Sequence, residues 1–199
     1  MFNPITEIKN TWQEIPEAVQ KFLKRALILF VIWKLIYVLV LFPINIPDKQ
    51  LRNATSWGTM QMLQWVYPNS SFSIEKKVTF DNVYKNELDF DEILMNNRKV
   101  LGIADPCNAL ELFILYMGFL LCFSVRKLSP LLIFLLSGLI IIYIVNILRC
   151  FGVAWLNIRH SYITEIAHHY VFKLAEYAVI FVLWVAYLRK QNIFLREHQ

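Results

Sequence analysis

Four apolar runs, each near 20 residues, limit this chain more than any other feature. They extend from about Ala26 to Ile46, from Cys107 to Val125, from about Pro130 to Val153, and from about Tyr170 to Leu188. A helix needs about 20 residues to cross a hydrocarbon core. Only helices and closed barrels satisfy the backbone in lipid, and these runs are too long and too continuously apolar for barrel strands. Hydrophobic residues make up 57% of the chain and aromatics 15%, with 5 glycines in 199 residues, a composition that fits a helical membrane protein. The sequence therefore predicts an all-α polytopic membrane protein, a four-transmembrane-helix bundle.

The net charge of +5 does not point to nucleic acid in so apolar a chain. Basic residues here mark a membrane face instead. Lys9, Lys21, Lys24 and Arg25 precede the first run. Arg126 and Lys127 lie between the second and third, and Arg189, Lys190 and Arg196 follow the fourth. Four crossings put all nine on one side, which the positive-inside rule makes the cytoplasm. Both termini are expected there. Residues 1–25 read as a cytoplasmic amphipathic segment, lying along the inner surface or extending the first helix. The opening residues do not read as a signal peptide. The expected organisation continues with transmembrane helix 1 at 26–46, an extracytoplasmic insertion at 47–106, helices 2–4 forming a core at 107–188, and a cytoplasmic tail at 189–199.

The insertion is too long for a bare connection. Leu51 to Val66 reads as a helix, with Trp65 and Tyr67 suited to an interface belt. Phe72–Phe80 is β-like, and Lys99–Ile103 is expected to pair with it. This gives a small helix/β-hairpin insertion between helices one and two.

Three reactive side chains fall at the outer ends of successive runs. Asp105 reads as an N-cap and Pro106 as the first helical residue, which places Cys107 in the first turn of the second helix. Helix N-termini favour thiolates, and their free N–H groups can bind an oxyanion. Asn108 follows directly. Arg149 sits at the outer, negative end of the third helix, one turn after Asn146. His168 and His169 open the fourth, where the dipole disfavours imidazolium and leaves the neutral ring that a general base needs. Glu111 lies one turn below Cys107, placed to orient a histidine or to pair with Arg149. Lys34, near mid-span, needs a partner, and Glu176 lies at comparable depth.

Each residue also has a plainer explanation. A lone cysteine in an apolar segment is a small core hydrophobe, a terminal arginine snorkels, and a histidine pair suits an interface. The three cysteines (Cys107, Cys122, Cys150) form no CxxC pair and no zinc spacing, so single-thiol chemistry stays open. Haem or metal ligation is poorly supported, because no second histidine lies one turn away within a span. No cofactor is expected.

At Pro106-Cys107-Asn108-Ala109, Asn146-Ile147-Leu148-Arg149 and His168-His169-Tyr170-Val171-Phe172 the chain resembles the exosortase/archaeosortase family of prokaryotic membrane transpeptidases, in particular Bacteroidetes-type members. The resemblance covers roughly residues 100–188. Many members carry glycine two residues after the cysteine, where this chain has Ala109, and an acidic residue where it has His169. Many also have more than four spans. The resemblance implies a multi-pass protein of the prokaryotic inner membrane with its active site facing outward. The implied substrates are exported proteins whose C-terminal sorting signal comprises a short motif, a transmembrane helix and a basic tail. Cys107 would be the nucleophile, His168 the base and Arg149 the oxyanion stabiliser. A lipid or glycan would accept the acyl group, and nucleic acid has no part.

Two alternatives remain at the level of sequence. A four-helix thiol oxidoreductase passing electrons to quinone would use Cys107 and Cys150, although the missing CxxC weighs against a fast dithiol relay. A non-catalytic membrane scaffold would tolerate loss of Cys107.

Overall fold

The computed structural model describes residues 16–41, 47–81, 86–122, 128–159 and 171–196. The first helix, α1 (Glu17–Ile36), runs without interruption from the polar N-terminal stretch into the apolar run and ends in a π-helical turn, Tyr37–Leu41. From Glu17 onward the amphipathic segment is thus continuous with the first helix, and its residues 1–15 lie outside the described residues. The helix begins with Glu17 ion-paired to Lys21 one turn on, an arrangement that suits an N-terminus.

The insertion opens with α2 (Asp48–Val66), close to the expected Leu51–Val66. Three antiparallel strands follow in the order β1 (Phe72–Asp81), β2 (Asn86–Met95) and β3 (Arg98–Ala104). The expected pairing of the first strand with Lys99–Ile103 is wrong. Phe72 faces Met95 on β2, and β3 pairs with the other edge of β2. Acids at Asp89, Asp91 and Glu92 hide β2 from a reading by alternation. They are tolerated because each has a cation: Arg52 reaches Asp89 and Asp91, and Lys77 and Lys99 clamp Glu92 at 2.5 and 2.6 Å. The β2–β3 turn is Asn96–Asn97, both with positive φ (51° and 63°), as a tight two-residue hairpin demands.

Three further helices lie among the described residues: α3 (Leu110–Cys122), α4 (Leu128–Arg159) and α5 (Phe172–Arg196). The fourth helix thus continues past Leu188 to Arg196, into the segment expected as a tail. Leu112, Tyr116 and Leu120 of α3 meet Leu131 and Ile142 of α4 and Ile180 and Tyr187 of α5 in one buried core. Tyr116 donates to the Phe134 carbonyl at 2.8 Å. It lies against Gly138, where an added Cβ would overlap its ring. Among the described residues one helix is long and apolar enough to cross a membrane by itself, Leu131–Arg159. At 32 residues α4 is about 48 Å long, well beyond a hydrocarbon core of about 30 Å. Its surplus carries a second core, in which Cys150 and Ala154 pack with Leu63 of α2, Ile93 of β2, and Val100 and Ile103 of β3. Asn157 adds a bond to the Val100 carbonyl at 2.7 Å. The insertion is therefore seated on the projecting end of α4, and β3 delivers the chain directly to Cys107.

Candidate functional site

Cys107 does not lie in the first turn of a helix. Asp105–Cys107 form a 3-10 turn, and α3 begins at Leu110. The expected N-cap is engaged elsewhere, since Asp105 pairs with the buried guanidinium of Arg52. A charge-assisted bond of this kind outcompetes a cap. Ala109 then takes a left-handed conformation, φ 69°, which breaks the path between the turn and the helix. Asn108, fully buried, caps α3 by accepting from the Leu110 N–H at 2.9 Å. The dipole of α3 thus starts three residues beyond the thiol, and its field acts there only in weakened form.

Three connections hold the turn. Asn108 donates to the Asp48 carboxylate at 2.8 Å, and the Tyr37 hydroxyl donates to the other oxygen of Asp48 at 3.2 Å. One buried carboxylate therefore ties α1, α2 and the cysteine turn together. Arg52, one turn further along α2, donates to the Asp89 carbonyl at 3.0 Å and pairs with Asp89, Asp91 and Asp105. Burial nevertheless pushes the Asp105 carboxyl above its ordinary range, with Arg52 pulling the other way. Asn146 of α4 donates to the Cys107 carbonyl at 3.0 Å. Sequence reasoning missed Asp48 and Arg52. An acid following a proline at the start of a helix was a usable sign for Asp48, whereas no local pattern marks Arg52.

Arg149, one turn above Asn146, is buried. Its Nη1 donates to both oxygens of the buried Glu176 on α5, at 3.0 and 3.3 Å. The expected Lys34–Glu176 pair is therefore replaced by Arg149–Glu176, and Glu111 does not reach Arg149 as had been considered. Glu111 is exposed and lines an apolar groove with Lys34. A buried guanidinium demands the nearest buried carboxylate, while Lys34 stays exposed. Cys107, partly exposed, is near enough to Arg149 and Cys150 to interact electrostatically with both. Two buried polar atoms one turn apart on α4, Asn146 Oδ1 and Arg149 Nε, have no hydrogen-bond partner among the described residues. His168 and His169 lie outside the described residues.

The structure thus brings together Cys107, Asn108, Asn146 and Arg149, and it separates Glu111 from them. The arrangement offers a nucleophile, a fixed backbone and an N–H donor without an acceptor. Among the described residues no group of three or more His, Cys, Asp or Glu side chains is disposed to hold a metal ion.

Compared with known proteins, residues 20–189 match the family described as transmembrane exosortase. No curated protein and no solved structure matches the chain.

Proposed function

The chain belongs to the transmembrane exosortase family and is a membrane protein; on that premise we propose that it is a cysteine transpeptidase acting on C-terminal sorting signals of exported proteins. It crosses the inner membrane four times, with both termini in the cytoplasm and Cys107 at the outer face. The Cys107 sulfur attacks the scissile carbonyl carbon, and its proton passes to His168, with His169 as the alternative base. Negative charge develops on the carbonyl oxygen, and Arg149 stabilises it there. The peptide C–N bond then breaks, and the leaving amine takes the proton from the histidine. A thioester remains on Cys107, and a nucleophile on a lipid or glycan displaces the sulfur.

One observation carries this reading. The unengaged Nε of Arg149 lies buried one helical turn from Asn146, which fixes the Cys107 carbonyl. A preorganised donor at the site of developing charge is the largest single contribution in acyl transfer. The decisive experiment is to trap the acyl-enzyme by co-expressing an exported protein that carries a sorting signal. A hydroxylamine-labile adduct mapped to Cys107, absent in Cys107→Ala, is expected. A functional Cys107→Ala protein would leave the scaffold reading, and dependence on Cys150 would favour the oxidoreductase.

A further inference from the structure

Between α1 and α3 lies an apolar groove of about 650 Å³, walled by α1 from Phe22 to Ile36 and by α3 from Glu111 to Cys122. Trp184 of α5 also lines it, stacked on Phe119 with ring centroids 4.0 Å apart. Helical rise makes the α1 wall about 21 Å long. Its lining is apolar along that length, as an extended hydrocarbon chain requires. Gly118 lies on its wall, and a Cβ added there would meet nothing within 4 Å, so the space beside it is open.

Two charges of opposite sign face this apolar space, Lys34 and Glu111. Both are exposed, and neither takes part in any ion pair or hydrogen bond among the described residues. Lys34 lies one turn before Tyr37, which is bonded to Asp48, and Glu111 lies three residues after Asn108, bonded to the same carboxylate, so the charged end of the groove adjoins the layer of the cysteine turn. Charges at this depth are costly unless paired. Nothing in the apolar lining supplies the pairs.

We propose that the groove binds one membrane lipid whose head carries both a phosphate and a primary ammonium. The phosphate meets Lys34, the ammonium meets Glu111, and one alkyl chain lies along α1 and α3 toward Trp184. The inference rests on the membrane-crossing placement of α1 and α3 given above but not on the chemistry of Cys107. Lipid retention and acyl transfer are measured separately, so one can fail while the other stands.

The full-length protein, purified in mild detergent, is incubated with vesicles containing equal parts phosphatidylethanolamine, phosphatidylglycerol and phosphatidylcholine. Retained lipid is then measured by native mass spectrometry. About one phosphatidylethanolamine per chain is expected, with the other two retained about tenfold less, equivalent to roughly 1.4 kcal/mol. Glu111→Gln erases the preference for the amine, and Lys34→Gln lowers retention of all three lipids. Gly118→Phe, which projects into open space, blocks retention while the helical circular dichroism stays that of the parent. Equal retention of the three lipids by the parent protein would overturn the proposal. Unchanged retention in Lys34→Gln would do the same, as would displacement of lipid by an apolar helical peptide. If Gly118→Phe does not fold, the Lys34→Gln and Glu111→Gln proteins decide the question.

Discussion

Ala109 holds a left-handed backbone immediately after the cysteine turn, at a cost of about 1–2 kcal/mol for any residue with a Cβ. Glycine removes that cost, although the unfolded chain then gains some entropy. Ala109→Gly is therefore expected to stabilise the protein by about 1 kcal/mol, seen as a rise of about 2–4 °C in melting temperature. Arg149 and Glu176 permit a second test at this scale. Glu176→Ala strands a buried guanidinium and should cost about 3–5 kcal/mol, whereas the double replacement Arg149→Met with Glu176→Leu should recover most of that loss. If Arg149 also serves the oxyanion, the double variant folds but transfers acyl groups about 10²–10³-fold more slowly, in line with loss of an oxyanion donor. A turnover assay run beside thermal unfolding separates the two effects. Cys107, Asn146 and Arg149 were legible as residues because each stands out chemically at the end of an apolar run. The pairings were less so: Glu176 was legible as an acid at depth but was assigned to Lys34, and Asp48 and Arg52, which hold the cysteine turn through Asn108 and Asp105, are chosen by contacts across long stretches of chain.

At the level of elements, apolar length announced the helices and concealed the sheet. β2 carries acids at Asp89, Asp91 and Glu92, so alternation fails, and only cations from α2, β1 and β3 make a strand of it. Glu75 faces Glu92 across the β1–β2 ladder, a like-charge pair that Lys77 relieves by contacting both. The bonds from Lys77 and Lys99 hold the Glu92 carboxyl below its ordinary value of 4.5. Its contribution to stability is complete above that value and is lost as pH falls through the lowered value of the folded state. Acid unfolding followed by circular dichroism should show this loss, and Glu92→Gln should flatten it. The helices offer a different test. Gly138 admits the Tyr116 ring against the α4 backbone, so Gly138→Ala should cost about 1–3 kcal/mol through overpacking, measured by thermal unfolding in detergent. Helix starts were the hardest boundaries to read. Asp105-Pro106 has the composition of an N-terminus, yet Arg52 draws Asp105 away and α3 begins at Leu110.

For the whole molecule, hydropathy located the elements better than it counted crossings. α4 alone meets the length and composition of a crossing helix among the described residues. α3 is apolar but has 13 residues, and α1 carries Lys34 within its apolar stretch. The proposed topology predicts that a membrane-impermeant maleimide labels Cys107 from outside intact cells. Cys122, whose carbonyl accepts from Arg25 at 3.3 Å near the basic end of α1, should stay protected. Single-cysteine variants analysed by mass shift distinguish the two. The bond between Tyr116 and the Phe134 carbonyl, with Gly138 beneath the ring, also has a mechanical effect. It pins α3 to α4 so that neither slides on the other. A guest seated between α1 and α3 leaves that seam intact. The nucleophile, tied to α4 through Asn146, keeps its station whether the groove is filled or empty.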